Sequence, residues 1–145
     1  MNRYAYAVFC DDIRQEINGK ITMVGIYTDR LFVASVPTVL PKLCLALAMA
    51  TDKTNMFEEV CVTGTFGPDE VFKMELHKEK IQSIIDQAPD PEFPAKFFTL
   101  QLNAILTPFQ LERTGKLVIK VVADGEELEC GGLEMALAPP GTVII

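Results

Sequence analysis

Hydrophobic positions recur with a period of two along most of the chain. From Tyr4 to Cys10 both parities are apolar, with Tyr6, Val8 and Cys10 on one and Ala5, Ala7 and Phe9 on the other. That pattern predicts a strand covered on both faces. Asp11 to Lys20 reads as a charged connection that turns at Asn18-Gly19, a dipeptide suited to positive φ. Ile21 to Tyr27 predicts a second strand, in which Gly25 marks a bulge or a close backbone contact. Leu31 to Ala34 predicts a short strand, and Pro37 and Pro41 bracket an irregular link. Lys42 to Thr51 predicts a long strand with two unequal faces. Leu43, Leu45, Leu47 and Met49 form the large one, and Cys44, Ala46, Ala48 and Ala50 the small, flat one.

Glu58 to Phe66 and Glu70 to His77 predict a hairpin around Gly67-Pro68-Asp69. Val60, Val62 and Phe66 face inward on its first arm, and Phe72, Met74 and Leu76 on its second. Val71, Lys73, Glu75 and His77 form the outer row. The period then changes. Ile81, Ile84 and Ile85 have helical spacing and predict a short helix over Lys78 to Gln87, which the prolines of Ala88 to Ala95 end. Phe97 to Leu106 predicts a strand, and Lys116 to Ala123 with Glu127 to Leu137 a last hairpin at Asp124-Gly125. Gly131-Gly132 predicts a β-bulge in the returning arm. The apolar end of the tail, Pro139 to Ile145, is expected to dock on the body or to pair with another chain. Eight to nine strands, short turns and one short helix near 78–87 predict an all-β fold. The expected form is one antiparallel β-sandwich over residues 1–145, immunoglobulin-like or C2-like, with a barrel as the alternative.

Composition narrows the function more than the fold. With 145 residues, the chain is long enough for one domain with a substantial core. Its net charge of −7, from 20 acidic and 13 basic residues without a basic stripe, opposes binding to nucleic acid or to an anionic membrane surface. The N-terminus lacks the features of a signal peptide, and the longest apolar run, Leu43 to Ala50, is too short to span a bilayer. A cytoplasmic location is expected. Cys10, Cys44, Cys61 and Cys130 lack metal-type spacing and should stay reduced.

The densest chemistry lies at Asp11, Asp12, Arg14 and Glu16. The carboxylates could offer oxygens to a hard cation, but Arg14 sits among them. The structural reading is that Arg14 forms paired hydrogen bonds with one of them and locks the loop; Arg14→Ala would then cost ~1–3 kcal/mol. A partner or ligand contact and a metal site are the alternatives. His77, the lone histidine, ends an outward row with no evident nucleophile or orienting acid and reads as solvated. No phosphate-loop, dinucleotide, nucleophile-elbow or zinc-protease motif occurs. No catalytic residue and no cofactor are indicated. The second unusual feature is the face Cys44, Ala46, Ala48 and Ala50. Either a helix or loop of the same chain covers it, or a second subunit does.

The stretch from Cys10 to Tyr27 resembles an uncharacterised family of small bacterial single-domain proteins. Their N-terminal motif reads A-D-D-I-R-x-E-x-x-G-K-x-x-x-x-G-x-Y. Here it is carried by Cys10, Asp11, Asp12, Ile13, Arg14, Glu16, Gly19, Lys20, Gly25 and Tyr27, with Cys10 in place of alanine. Leu40-Pro41-Lys42-Leu43 is similar as well. The resemblance implies a domain of unknown function and assigns no activity. Three functional readings follow. The first is a non-enzymatic protein-interaction or structural module, with another protein or a second copy as partner. The second is a metal- or ligand-binding site, enzymatic or not, on Asp11–Glu16; the third is a phage or secretion assembly component.

Overall fold

The structure is a computed structural model that describes residues 3–87 and 96–142. The 88–95 link and the last three residues of the apolar tail lie outside the described residues. Eleven strands and one helix follow one another as β1 (Tyr4–Gln15), β2 (Ile21–Tyr27), β3 (Arg30–Val33), β4 (Thr38–Leu40), β5 (Leu43–Asp52), β6 (Val60–Phe66), β7 (Asp69–Leu76), α1 (Lys78–Gln87), β8 (Phe97–Leu106), β9 (Phe109–Leu111), β10 (Gly115–Ala123) and β11 (Glu126–Leu137). They form a four-stranded sheet in the order β2-β1-β5-β8, a five-stranded sheet in the order β3-β11-β10-β6-β7, and a small β4-β9 pair. The result is an all-β sandwich and not a barrel.

The core forms where the large faces of the two sheets meet. Leu43, Leu45, Leu47 and Met49 of β5 share one buried cluster with Val60 and Val62 of β6, Leu117, Ile119 and Val121 of β10, and Leu133 and Met135 of β11. At ~1.5–3 kcal/mol for each large side chain removed from water, this face supplies the main drive for sheet stacking. Ile81 of α1 is buried in the same cluster, with Ile84 and Ile85 packed against it. The inward rows expected on β6 and β7 join it too, as do Leu100 and Ala104 of β8. Val71 departs from its predicted outer position, because the β6–β7 register shifts between Gly64 and Thr65 and turns Val71 toward the core. A second shift opposite Ile119 is the bulge expected at Gly131-Gly132, and Gly131 takes φ 85° there.

Three elements differ from the sequence pattern. Residues Asp11–Gln15 are strand, not connection. β1 pairs with β5 only as far as Cys10↔Cys44 but continues beside β2 to Gln15↔Ile21. Beyond Cys10 it therefore belongs to a two-stranded arm that water reaches, where charged side chains cost little. The turn itself is as expected: Asn18 and Gly19 both take positive φ, 69° and 73°. Second, the irregular link contains β4, which pairs with β9 from Thr38↔Leu111 to Leu40↔Phe109. Third, β3 pairs with β11 in parallel, so the five-stranded sheet is mixed.

The starting end of β1 is fixed by Arg3, whose side chain is only 4% exposed. Its Nε donates to Thr51 Oγ1 at 3.0 Å, and its Nη2 donates to Asn55 O at 2.9 Å and Asp124 Oδ2 at 2.8 Å. The guanidinium lies 4.8 Å from the centre of the Phe57 ring. Asp124, at φ 51° in the β10–β11 turn, also accepts the Glu58 and Glu59 N–H groups at 3.1 and 2.7 Å. Burial works to raise this carboxyl. The Glu59 N–H, Arg3 and the Glu58 N–H outweigh that effect and hold it below the usual range. A depressed carboxyl adds stability above its unfolded-state pKa, and that stability is lost as pH falls through the folded value. Asp124→Asn keeps the turn conformation but weakens the Arg3 pair. It should lower stability by about 2 kcal/mol at neutral pH. Thermal unfolding from pH 7 to pH 3 should show this deficit shrinking as the parent's carboxylate takes up its proton.

Candidate functional site

The far end of β1 carries the charged motif. Consecutive strand residues point to opposite faces, so Asp11 and Asp12 are separated by the pleat. Asp11 shares the core-side row with Phe9 and stands opposite Gly25, since Cys10 pairs with Ile26 and Asp12 with Val24. Asp11 Oδ1 accepts the Tyr27 hydroxyl at 2.6 Å. Burial, reinforced by the Asp11 carboxylate, pushes the Tyr27 phenol well above its usual range and keeps it a protonated donor. Gly25 takes φ 68°, and a Cβ there would fall 2.3 Å from Asp11 Oδ2. The register is unbroken at this point. Of the two readings of Gly25, the close contact is therefore the correct one, and it makes room for a carboxylate.

Asp12 lies on the outer face and accepts Lys42 Nζ at 2.6 Å. This hydrogen bond pulls the Asp12 carboxyl down and raises the Lys42 ammonium. Arg14 was expected to be the partner, but its side chain forms no hydrogen bond or ion pair among the described residues; two residues beyond Asp12 on an exposed arm, its charge helps to lower the Asp12 carboxyl only from a distance. Glu16 follows the end of β1, and its backbone N–H donates to Lys20 O at 2.8 Å across the turn. The cluster is thus two separate pairs on opposite faces. No group of three or more His, Cys, Asp or Glu residues arranged to hold a metal occurs among the described residues.

The two stretches that carried the resemblance converge here. Asp11, Gly25 and Tyr27 form one lock, while Asp12 and Lys42 form the other. The chain belongs to a family of unknown function, DUF6941. The match covers residues 5–134. No curated protein and no solved structure matches the chain. The family match agrees with the uncharacterised family that the sequence resembled, and it leaves the chemistry to be read from the structure.

The small face of β5 holds Cys44, Ala46, Ala48 and Ala50, all at most 3% exposed. The one helix among the described residues does not cover it, since α1 packs into the core. The cover comes from the same sheet. Tyr4, Tyr6 and Val8 of β1 stand beside Ala50, Ala48 and Ala46 on one side, with Thr99, Gln101 and Asn103 of β8 on the other. The alanines are a sheltered floor between larger side chains. The outermost layer is then Tyr4 and Tyr6, stacked at 6.4 Å with 15° between planes, together with Val24, Ile26, Phe97 and Ile105. These are six of the eleven exposed large apolar side chains among the described residues, so exposure is concentrated on this face.

Other reactive groups are occupied or isolated. His77 Nδ1 lies 2.8 Å from Glu59 Oε2, which raises its pKa, while Nε2 faces Glu75 at 3.9 Å. The orienting acid that the sequence did not reveal is therefore present, but no hydrogen bond joins His77 to the Cys61 thiol. Cys10 and Cys44 lie opposite one another on β1 and β5, and all four cysteines are free. Burial raises both thiols of that pair, and it pushes the Cys130 thiol up to about 11. A hollow of about 640 Å³ between residues 53–58 and α1 has Lys78 and Glu58 on its wall, 3.6 Å apart, with Asp124 committed to Arg3.

The motif geometry separates three substitutions. Gly25→Ala combines positive-φ strain with a collision against Asp11 and should cost about 2–3 kcal/mol. Tyr27→Phe removes one hydrogen bond and should cost about 1 kcal/mol. Arg14→Ala should fall within ~0.5 kcal/mol of the parent. Urea unfolding of the three variants measures this order, and a loss at Arg14 as large as that at Gly25 would contradict it.

Proposed function

We propose that the protein is a non-enzymatic interaction or structural module of the bacterial cytoplasm. On this reading the sandwich, of the immunoglobulin-like or C2-like kind, presents the outer face of β2-β1-β5-β8 to another protein. The observation that carries the reading is the concentration of Tyr4, Tyr6, Val24, Ile26, Phe97 and Ile105 on that one face. Aromatic side chains at such a density favour protein contact, because a flat ring gives much contact area for little lost rotamer freedom. Cys44, Ala46, Ala48 and Ala50 serve as the floor that keeps the face flat, not as contacts. An assembly component of a phage or secretion apparatus would use the same face for a repeated contact.

The ligand reading of Asp11, Asp12, Arg14 and Glu16 draws less support. Asp11 is held by Tyr27 and Asp12 by Lys42, on opposite faces. A hard cation would have to break both pairs and gather carboxylates that the pleat separates. The four residues are read as the lock and tip of the β1–β2 arm.

A photo-reactive phenylalanine analogue placed at Tyr6 or Ile105 tests the proposal in cells. Both positions should give covalent protein adducts. Val118, 43% exposed on the other sheet, should give none. Failure at both test positions, or an equal yield at Val118, would refute the interaction reading.

A further inference from the structure

We infer that the partner of this face is a second copy of the chain, packed sheet against sheet about a two-fold axis that runs along β5. The inference rests on the interaction reading above and adds the identity of the partner. Charge distribution is the first argument. Two copies, each at −7, repel over most of their surfaces. On the outer face, the Asp12–Lys42 pair marks one end and Asp52 the other. Between them the strand rows hold only Tyr4, Tyr6, Val8 and Cys10, the Cys44-to-Ala50 floor, Thr99, Gln101, Asn103 and Ile105, all uncharged. A like-charged copy can approach there without bringing acid against acid. A basic partner would gain nothing from this face and would be drawn to the acidic remainder.

Area is the second argument. A two-fold along β5 opposes three strands, β1, β5 and β8, which at about 4.8 Å spacing and about ten residues of about 3.3 Å each span roughly 480 Å² in projection. Two such faces bury about 950 Å², the size of a weak, reversible contact, which sets the concentrations needed to see it. Polar complementarity is the third. A two-fold along β5 carries β1 of one copy over β8 of the other at the same level. Tyr6 lies level with Gln101, and Tyr4 with Thr99, across the β5 floor. The axis therefore places each copy's tyrosine row against the hydroxyl and amide row of the other. The phenolic hydroxyls gain partners, and the rings fill the shallow relief above the alanines.

Light scattering on the purified full chain, at concentrations up to ~100 µM, tests this. The parent should be a dimer. Tyr6→Glu and Ile105→Glu each replace a side chain more than half exposed, so both should fold, with the far-ultraviolet circular dichroism of the parent. Each should raise the dimer dissociation constant at least about 100-fold, whereas Val118→Glu should leave it unchanged. A monomeric parent, or a dimer indifferent to both face substitutions, overturns the inference. A monomeric parent whose Tyr6 position still cross-links to a different protein in cells overturns the second copy alone and leaves the interaction reading in place.

Discussion

β5 has no solvent-facing side, and the rest of the molecule is arranged around that constraint. From Leu43 to Thr51 every side chain is buried, although β5 has a sheet neighbour on each edge and the opposite sheet over only one face. The large row, Leu43, Leu45, Leu47 and Met49, is hidden by the second sheet in the ordinary way of a sandwich. The small row is hidden differently. A methyl group on a central strand needs only its flanking neighbours to be large, and β1 supplies tyrosines where β5 has alanines. The same alternation therefore closes the core on one side and makes a level apolar surface on the other.

β1 is held at both ends by polar groups that complete one another. At its start Arg3 gathers Thr51, Asn55 and Asp124, so one nearly buried guanidinium joins the N-terminus, the turn after β5 and the β10–β11 turn. At its far end Asp11 engages Tyr27 across Gly25, and Asp12 engages Lys42. Buried or half-buried charges persist in folded proteins when they are paired and hydrogen-bonded. Each charge here meets that condition with a partner distant in sequence. The pairs therefore specify which strands lie together, beyond any small net gain in stability.

The elements governed by local pattern were legible in the sequence. Ile21–Tyr27, Lys78–Gln87 and Phe97–Leu106 follow from period and punctuation alone, as do the turns at Asn18-Gly19 and Asp124-Gly125. What the pattern did not show depends on register. Asp11 to Gln15 is polar enough to read as a loop, and only the continued pairing with β2 makes it strand. Lys42 as the partner of Asp12, in place of the nearer Arg14, follows from the β1–β5 alignment, which brings together residues 30 apart. β4 and β9 are three residues each, too short to carry a period. The alanine row was visible as unusual, but what covers it depends on which side chains β1 and β8 set alongside.

This division bears on function. Asp11, Asp12, Asp124 and His77 are each bound to a defined partner, and the charged stretch from Asp11 to Tyr27 shapes one hairpin. The feature without an internal partner is the apolar face above β5. Water is a poor neighbour for two stacked tyrosines and for Ile26, Phe97 and Ile105 on the same face. Among the described residues the strand rows carry no charge at those outward positions between Asp12 and Asp52, whereas the exposed arm carries Arg14. The uncharged span between Asp12 and Asp52 on one sheet face of an acidic protein is the physical reason to look for recognition there.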